Sequence, residues 1–170
     1  MVGSCRHCEY CDSGEEQYCL YGRVLTYGDK DVYHDNEISQ GGYSNNMVVD
    51  EQFAVTIPKG ADIEKVGPLM CAGVTTYSPI MHAEVKRGDK VGIAGFGGLG
   101  HMALQYAVAI GAEVTVFDIT DEKRDEALAM GAIRYVNVRN TEELDGLNNT
   151  FRFILSTCLL YTSDAADDKA

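Results

Sequence analysis

The sequence predicts an α/β chain: a cysteine-rich, loop-dominated segment followed by the first half of a doubly wound parallel sheet. Three observations predict it. Four of the six cysteines, Cys5, Cys8, Cys11 and Cys19, fall within the first 19 residues. From Lys86 onward, apolar runs of strand type alternate with helical periodicity in units of about 30 residues, the pattern of βαβ crossovers. A glycine-rich turn, Gly95 to Gly100, joins the first of those strands to the first of those helices.

The balance of charge narrows the function. The chain has 170 residues with 26 Asp and Glu against 14 Lys and Arg, a formal charge of −12. It carries no basic stripe to neutralise phosphates, which argues against nucleic acid as the partner. A composition of 45% hydrophobic and 24% charged residues is that of a globular chain. No apolar run approaches the roughly 18 residues of a membrane helix, and residues 1–20 lack a signal-peptide core, so a soluble cytoplasmic protein is expected.

Taken in order, residues 1–45 are rich in Cys, Gly, Tyr and Asp without periodicity and read as loop. Asn46 to Ile57 is strand-like, with β-branched and aromatic residues, and Pro58-Lys59-Gly60 ends it. Asp62 is a helix N-cap with a helix through Val66, and Thr75 to Ala83 reads as another helix, perturbed by Pro79. Arg87-Gly88-Asp89 is a turn, Lys90 to Ala94 a buried-type strand, and Leu99 to Ile110 a helix stopped by Gly111. Glu113 to Asp118 is the next strand, Asp121 to Met130 an amphipathic helix, and Ile133 to Val138 a third strand. Thr141 to Leu144 is a helical turn and Phe151 to Ser156 a fourth strand. No internal repeat is found.

The cysteines run Cys5-x2-Cys8-x2-Cys11-x7-Cys19. Four thiolates satisfy tetrahedral zinc with no coordination position left open, so such an ion stabilises and does not catalyse. Arg6, His7 and Arg23 nearby favour thiolate forms. An iron–sulfur cluster is the rival, but ferredoxin runs close with C-x3-C-P, whereas here the last gap is seven residues and Leu20 follows. Free thiols or incidental disulfides are the bland alternative.

Gly95-Phe96-Gly97-Gly98-Leu99-Gly100 has the context that gives a G-x-G-x-x-G pattern weight: a strand before, a helix after, and Asp118 at the end of the next strand, 18 positions beyond Gly100. Gly95 allows the tight exit from the strand, Gly97 lets backbone approach a pyrophosphate, and Gly100 permits close packing of helix on strand. The helix N-terminus offers N–H groups and a positive dipole end to phosphates. A carboxylate at Asp118 accepts hydrogen bonds from the adenosine ribose hydroxyls and repels a 2′-phosphate, which favours NAD over NADP. Lys123 and Arg124 offset that repulsion only from a helical turn further on. The structural alternatives are a plain glycine turn, and an Asp118 that merely begins the next turn.

The runs SCRHCEYCDSGEEQYC, GGYSNNMVVDEQFAVTIP, PLMCAGVTTYSP and GDKVGIAGFGGLGHMALQYA, in this order, resemble zinc-dependent medium-chain alcohol dehydrogenases, in the cinnamyl-alcohol-dehydrogenase-like branch. The resemblance covers about residues 1–157. It implies a partial GroES-like β-rich catalytic domain with a structural zinc lobe over residues 1–72, and the first half of a Rossmann domain over residues 73–157. It further implies that Cys5, Cys8, Cys11 and Cys19 hold a structural zinc and that Cys71 is the last protein ligand of a catalytic zinc. Thr75 matches a position lining the nicotinamide pocket. Gly95, Gly97, Gly98, Leu99 and Gly100 match the pyrophosphate turn, and Asp118 with Lys123 the ribose contacts. His101 matches a histidine common in the branch, whose alternative is a cap-region residue without ligand contact. The implied reaction is reversible hydride transfer between a primary alcohol, aromatic or allylic ones included, and NAD(P), in a parent enzyme expected to be a homodimer.

The branch generally carries a small hydroxyl residue where Asp118 stands and prefers NADP, so this sequence looks switched toward NAD. The other catalytic-zinc ligands are expected upstream of Cys5 and the remaining strands downstream, so the 170-residue chain alone is expected to be an inactive fragment. Residues 158–170 begin CLLYTSDAAD, which resembles a translated transposon-end adaptor used in preparing DNA libraries. A non-native tail is therefore expected there, the alternative being a divergent natural tail. A non-catalytic nucleotide-binding module and an iron–sulfur electron carrier remain the rival functions.

Overall fold

The computed structural model describes residues 1–42, 45–47 and 49–158. The chain divides into two compact units, Met1–Ala61 and Asp62–Ala170. No helix among the described residues is long and apolar enough to cross a membrane.

The first unit is less of a loop than its composition predicts. Helix α1 (Glu9–Asp12) follows the first two cysteines and contains the third, a 3-10 turn (Glu16–Tyr18) comes next, and strands β1 (Tyr27–Lys30) and β2 (Ile38–Gln40) pair antiparallel with an irregular register. An isolated bridge joins Gly3 to Val24, with Val2 N–H donating to Val24 O at 2.9 Å and Val24 N–H to Gly3 O at 2.8 Å. These pairings join residues distant in sequence, which periodicity does not report. The strand expected over Asn46 to Ile57 is absent among the described residues. Asp50 instead accepts from Gln52 N–H and starts a 3-10 turn over Glu51–Phe53. A strand persists only where its backbone groups find a partner. Here the β-branched Val55 and Ile57 stand 76% and 40% exposed. Arg6 anchors the segment, donating to Gln52 Oε1 at 2.7 Å and to Asp50 Oδ2 at 2.8 Å.

The second unit opens with helix α2 (Ile63–Pro68), whose N-cap Asp62 accepts from Glu64 N–H at 3.2 Å. It runs beyond Val66 into a single wide π turn, Leu69–Gly73, and on into α3 (Val74–His82). Pro68 has no N–H for the bond back along the helix, and the widened turn follows directly after it. Pro79 lies within α3 without ending it.

Strands β3 (Lys90–Ala94), β4 (Glu113–Asp118), β5 (Arg134–Asn137) and β6 (Phe153–Ser156) form one parallel sheet in the order β5-β4-β3-β6. Helix α4 (Gly98–Ile110) connects β3 to β4, and α5 (Arg124–Ala129) connects β4 to β5. With the first strand in the middle and successors added to both sides, the order reverses between β3 and β6, the place where open α/β sheets bind ligands. Helix α5 begins three residues later than expected because Asp121 to Lys123 form a turn, Arg124 N–H donating to Asp121 O at 3.0 Å. Strand β6 begins at Phe153 and not at Phe151, whose ring packs edge-on against Phe117 at 5.5 Å. Val91, Ile93, Val114 and Val116 of the sheet and Ala103, Leu104 and Ala107 of α4 are fully buried and form the core. The tail expected over residues 158–170 lies outside the described residues apart from Cys158.

Candidate functional site

In the first unit, the Sγ atoms of Cys5, Cys8, Cys11 and Cys19 all lie within 4.8 Å of one another. Cys8 and Cys11 face each other at 3.5 Å and Cys5 and Cys11 at 3.8 Å. Zinc–thiolate bonds of about 2.3 Å at tetrahedral angles separate sulfurs by about 3.8 Å, so the residues present fit a four-thiolate metal. The short helix α1 supplies the spacing, since Cys8 is its N-cap and Cys11 lies one turn on. Polar neighbours address the sulfurs: Cys5 N–H donates to Cys19 Sγ at 3.4 Å, and Tyr33 Oη lies 3.8 Å from it.

The thiols differ in how readily they ionise. Burial would raise Cys19, but N–H donation from Cys5 and Tyr21 outweighs it and brings the thiol down to about 6. Cys8 is lowered, chiefly by a backbone hydrogen bond from Leu20. Burial pushes Cys5 up to about 11. Cys19 and Cys8 thus ionise more readily than a free thiol, and Cys5 less readily.

In the second unit the glycine-rich turn leaves β3 at Gly95, whose φ of 93° belongs to the left-handed region that glycine tolerates. Thr157, just past β6, donates to Gly95 O at 2.8 Å and pins the turn. At Gly100 a Cβ would stand 2.1 Å from Gly95 O, so no larger residue fits where α4 crosses the turn. A Cβ at Gly97 or Gly98 would meet nothing within 4 Å. That face of the turn is open to a ligand, and the first-turn N–H groups of α4 point along the helix with no earlier helical carbonyl to take them.

Asp118 ends β4 beside this turn, and backbone sets its carboxylate: Phe96 N–H donates to Oδ2 at 2.7 Å and Ile119 N–H to Oδ1 at 2.6 Å. Each oxygen keeps a second lone pair for another donor. Lys123 Nζ donates to Phe96 O at 3.0 Å. Arg124 is occupied elsewhere, bonding Asp121 Oδ1 at 2.9 Å, Tyr135 O at 2.8 Å and Glu143 Oε2 at 3.0 Å. Asp121 and Glu143 are both held below the usual carboxylate range, Asp121 by Asn137 and then Arg124, Glu143 by the Asn137 N–H and then Arg124. Burial pushes the Tyr135 phenol up to about 12, with the Asp118 and Asp121 charges adding to it.

Cys71 is exposed and lies in the π turn, with Thr75, also exposed, four residues later in α3. Among the described residues Cys71 joins no group of three or more His, Cys, Asp or Glu side chains. The structure therefore brings the four early cysteines together, and separately gathers Gly95 to Gly100, Asp118 and Lys123. Sequence reasoning missed Thr157, Tyr33 and the central part of Phe96, which carried no motif of their own.

The family model described as zinc-binding dehydrogenase matches residues 98–152. A protein of Bacillus subtilis named "probable formaldehyde dehydrogenase" is 46% identical over 157 residues, which cover 92% of this chain and 44% of that protein. The crystal structure of CAD from Helicobacter pylori complexed with NADP(H) superposes with a TM-score of 0.81 at 47% identity, covering 92% of this chain and 44% of that one. A cinnamyl alcohol dehydrogenase from Sorghum bicolor superposes with a TM-score of 0.86 at 39% identity over 92% of this chain and 45% of its own. The chain thus spans less than half the length of these relatives. By sequence and by fold, the chain is similar to one part of zinc-binding dehydrogenases, cinnamyl alcohol dehydrogenases among them.

Proposed function

We propose that the chain is part of a zinc-dependent dehydrogenase that transfers hydride between a primary alcohol, aromatic or allylic ones included, and NAD in preference to NADP. The observation that carries this reading is the Asp118 carboxylate, oriented by two backbone N–H groups at 2.7 and 2.6 Å beside an open glycine turn. The turn and the start of α4 hold the pyrophosphate. Asp118 accepts from the adenosine ribose hydroxyls, and Lys123, next to it, steadies the turn. A 2′-phosphate meets a fixed negative charge at Asp118. Of the two cations that could compensate, Lys123 is engaged by Phe96 O and Arg124 by Asp121 and Glu143.

Thr75 borders the nicotinamide. Cys71 offers a thiolate to a catalytic zinc. When bound, that ion acts as a Lewis acid on an alcohol or aldehyde oxygen. Cys5, Cys8, Cys11 and Cys19 hold the second, structural zinc and keep the first unit folded. The acidic charge fits a cytoplasmic enzyme, a homodimer in the parent protein, that takes small alcohols or aldehydes and engages neither nucleic acid nor membrane.

The test is steady-state kinetics of the protein that carries this chain, with a primary alcohol and each dinucleotide. A higher kcat/KM with NAD is expected. Asp118→Ser, which removes the carboxylate, should shift the NAD-to-NADP ratio toward NADP by about tenfold to a hundredfold. A higher kcat/KM with NADP before any substitution overturns the NAD assignment.

A further inference from the structure

Phe96 occupies an unusual place in the glycine turn. Glycine flanks it on both sides, so its peptide has little steric restraint of its own. The two peptides that meet at Phe96 contact the ribose-recognising pair, its N–H donating to Asp118 at 2.7 Å and its C=O accepting from Lys123 at 3.0 Å. Thr157 holds the turn at Gly95 O, and the Phe96 side chain adds a second hold on the other flank. The ring is 1% exposed, stands edge-on to Tyr135 with centroids 6.5 Å apart, and is stacked on the His101 imidazole at 4.0 Å and 15°.

His101 sits between two acceptors. Nδ1 lies 2.8 Å from Gly97 O in the turn, and Nε2 lies 3.2 Å from Glu126 Oε1 on α5. One imidazole thus spans the turn, the first coil of α4 and the following helix. Its flat face closes the free side of the Phe96 ring.

We propose that His101 is a positioning residue of the nucleotide site: it clamps the Phe96 ring, and through the Phe96 peptide it keeps the Asp118 carboxylate oriented for the adenosine ribose. The inference rests on the NAD reading above. Releasing the clamp leaves the pyrophosphate cradle in place but lets Asp118 lose its set orientation. Recognition of the ribose then suffers more than recognition of the phosphates.

The experiment is calorimetric titration of the full chain with NAD and with NADP, for the unsubstituted protein, His101→Ala and His101→Phe. Urea denaturation of each without nucleotide reports on the fold. His101→Ala should weaken NAD about tenfold and NADP only about twofold, so that the preference shrinks about fivefold with the urea midpoint little changed. His101→Phe restores a stacked ring and should recover most of the preference. Equal weakening for both dinucleotides, no weakening, or no recovery with Phe overturns the clamp. If the unsubstituted chain binds neither dinucleotide, the NAD reading fails and the clamp falls with it.

Discussion

The two units keep their shape by different means. The second has a continuous apolar core running from Ile80 through the sheet strands to Tyr135, with α4 packed into it. The first buries few large apolar side chains, Val2 and Val24 beside Cys8 and Cys11, and leaves Tyr18, Leu20, Tyr21 and Tyr27 more than half exposed. A segment that short cannot remove enough apolar surface from water to offset the entropy of ordering its loops. A metal bound by the four convergent thiols would supply what the core lacks, because ligand binding that exists only in the folded state is folding free energy. If the proposed zinc is bound, one unit is held by solvent exclusion and the other by coordination, and each should fail under a treatment the other survives.

Metal removal is the largest lever. A structural zinc contributes about 10 kcal/mol or more, well above what the first unit's few buried side chains supply. Dialysis against a strong chelator should open residues 1–61 to protease and to rapid amide exchange. The sheet of the second unit should keep its protection, and NAD binding should change less than about twofold. Loss of protection in both units together, or in neither, breaks the contrast.

The converse is a core truncation. Leu104 is fully buried on α4, and Leu104→Ala should destabilise the second unit by about 2–5 kcal/mol through lost burial and the cavity left behind. The urea midpoint of that unit falls, while zinc content, measured by elemental analysis, stays where it was. A drop in zinc content on this substitution would show that the units depend on each other energetically.

The same division explains what was legible beforehand. Strands β3 and β4 end where the sequence reading places them, because each is an apolar run bounded by turn residues and buried on both faces. The convergence of the four cysteines was legible in their spacing, since α1 needs only three residues to bring Cys8 and Cys11 together. The first unit was read poorly elsewhere. Its Gly3–Val24 bridge and its β1–β2 pair depend on partners far along the chain, and apolar residues at 46–57 promised a strand that finds no partner. In the nucleotide site the motif was visible, but the Phe96 contact to Asp118 spans 22 residues and the Thr157 contact to Gly95 spans 62. Neither leaves a local pattern.

Acid sharpens the contrast most gently. The loop that follows Asp118 is tied to β5 by Arg124, Asp121, Asn137 and Glu143. Both carboxylates ionise more readily folded than unfolded, Asp121 from 3.8 downward and Glu143 from 4.5 downward. The unfolded chain therefore binds more protons across that range. Their contribution is fully present above about pH 4.5 and is lost as pH falls through the depressed folded values. Asp121 is more than half exposed and Glu143 is in part open to solvent, which keeps the effect small. The urea midpoint of the second unit should hold steady from pH 7 to about pH 5 and decline below it, and in the Asp121→Asn, Glu143→Gln double variant that decline should be shallower. An identical slope in the variant would assign the acid sensitivity to other carboxylates and leave this network a purely geometric tie, holding the Asp118 loop in place without a measurable electrostatic contribution.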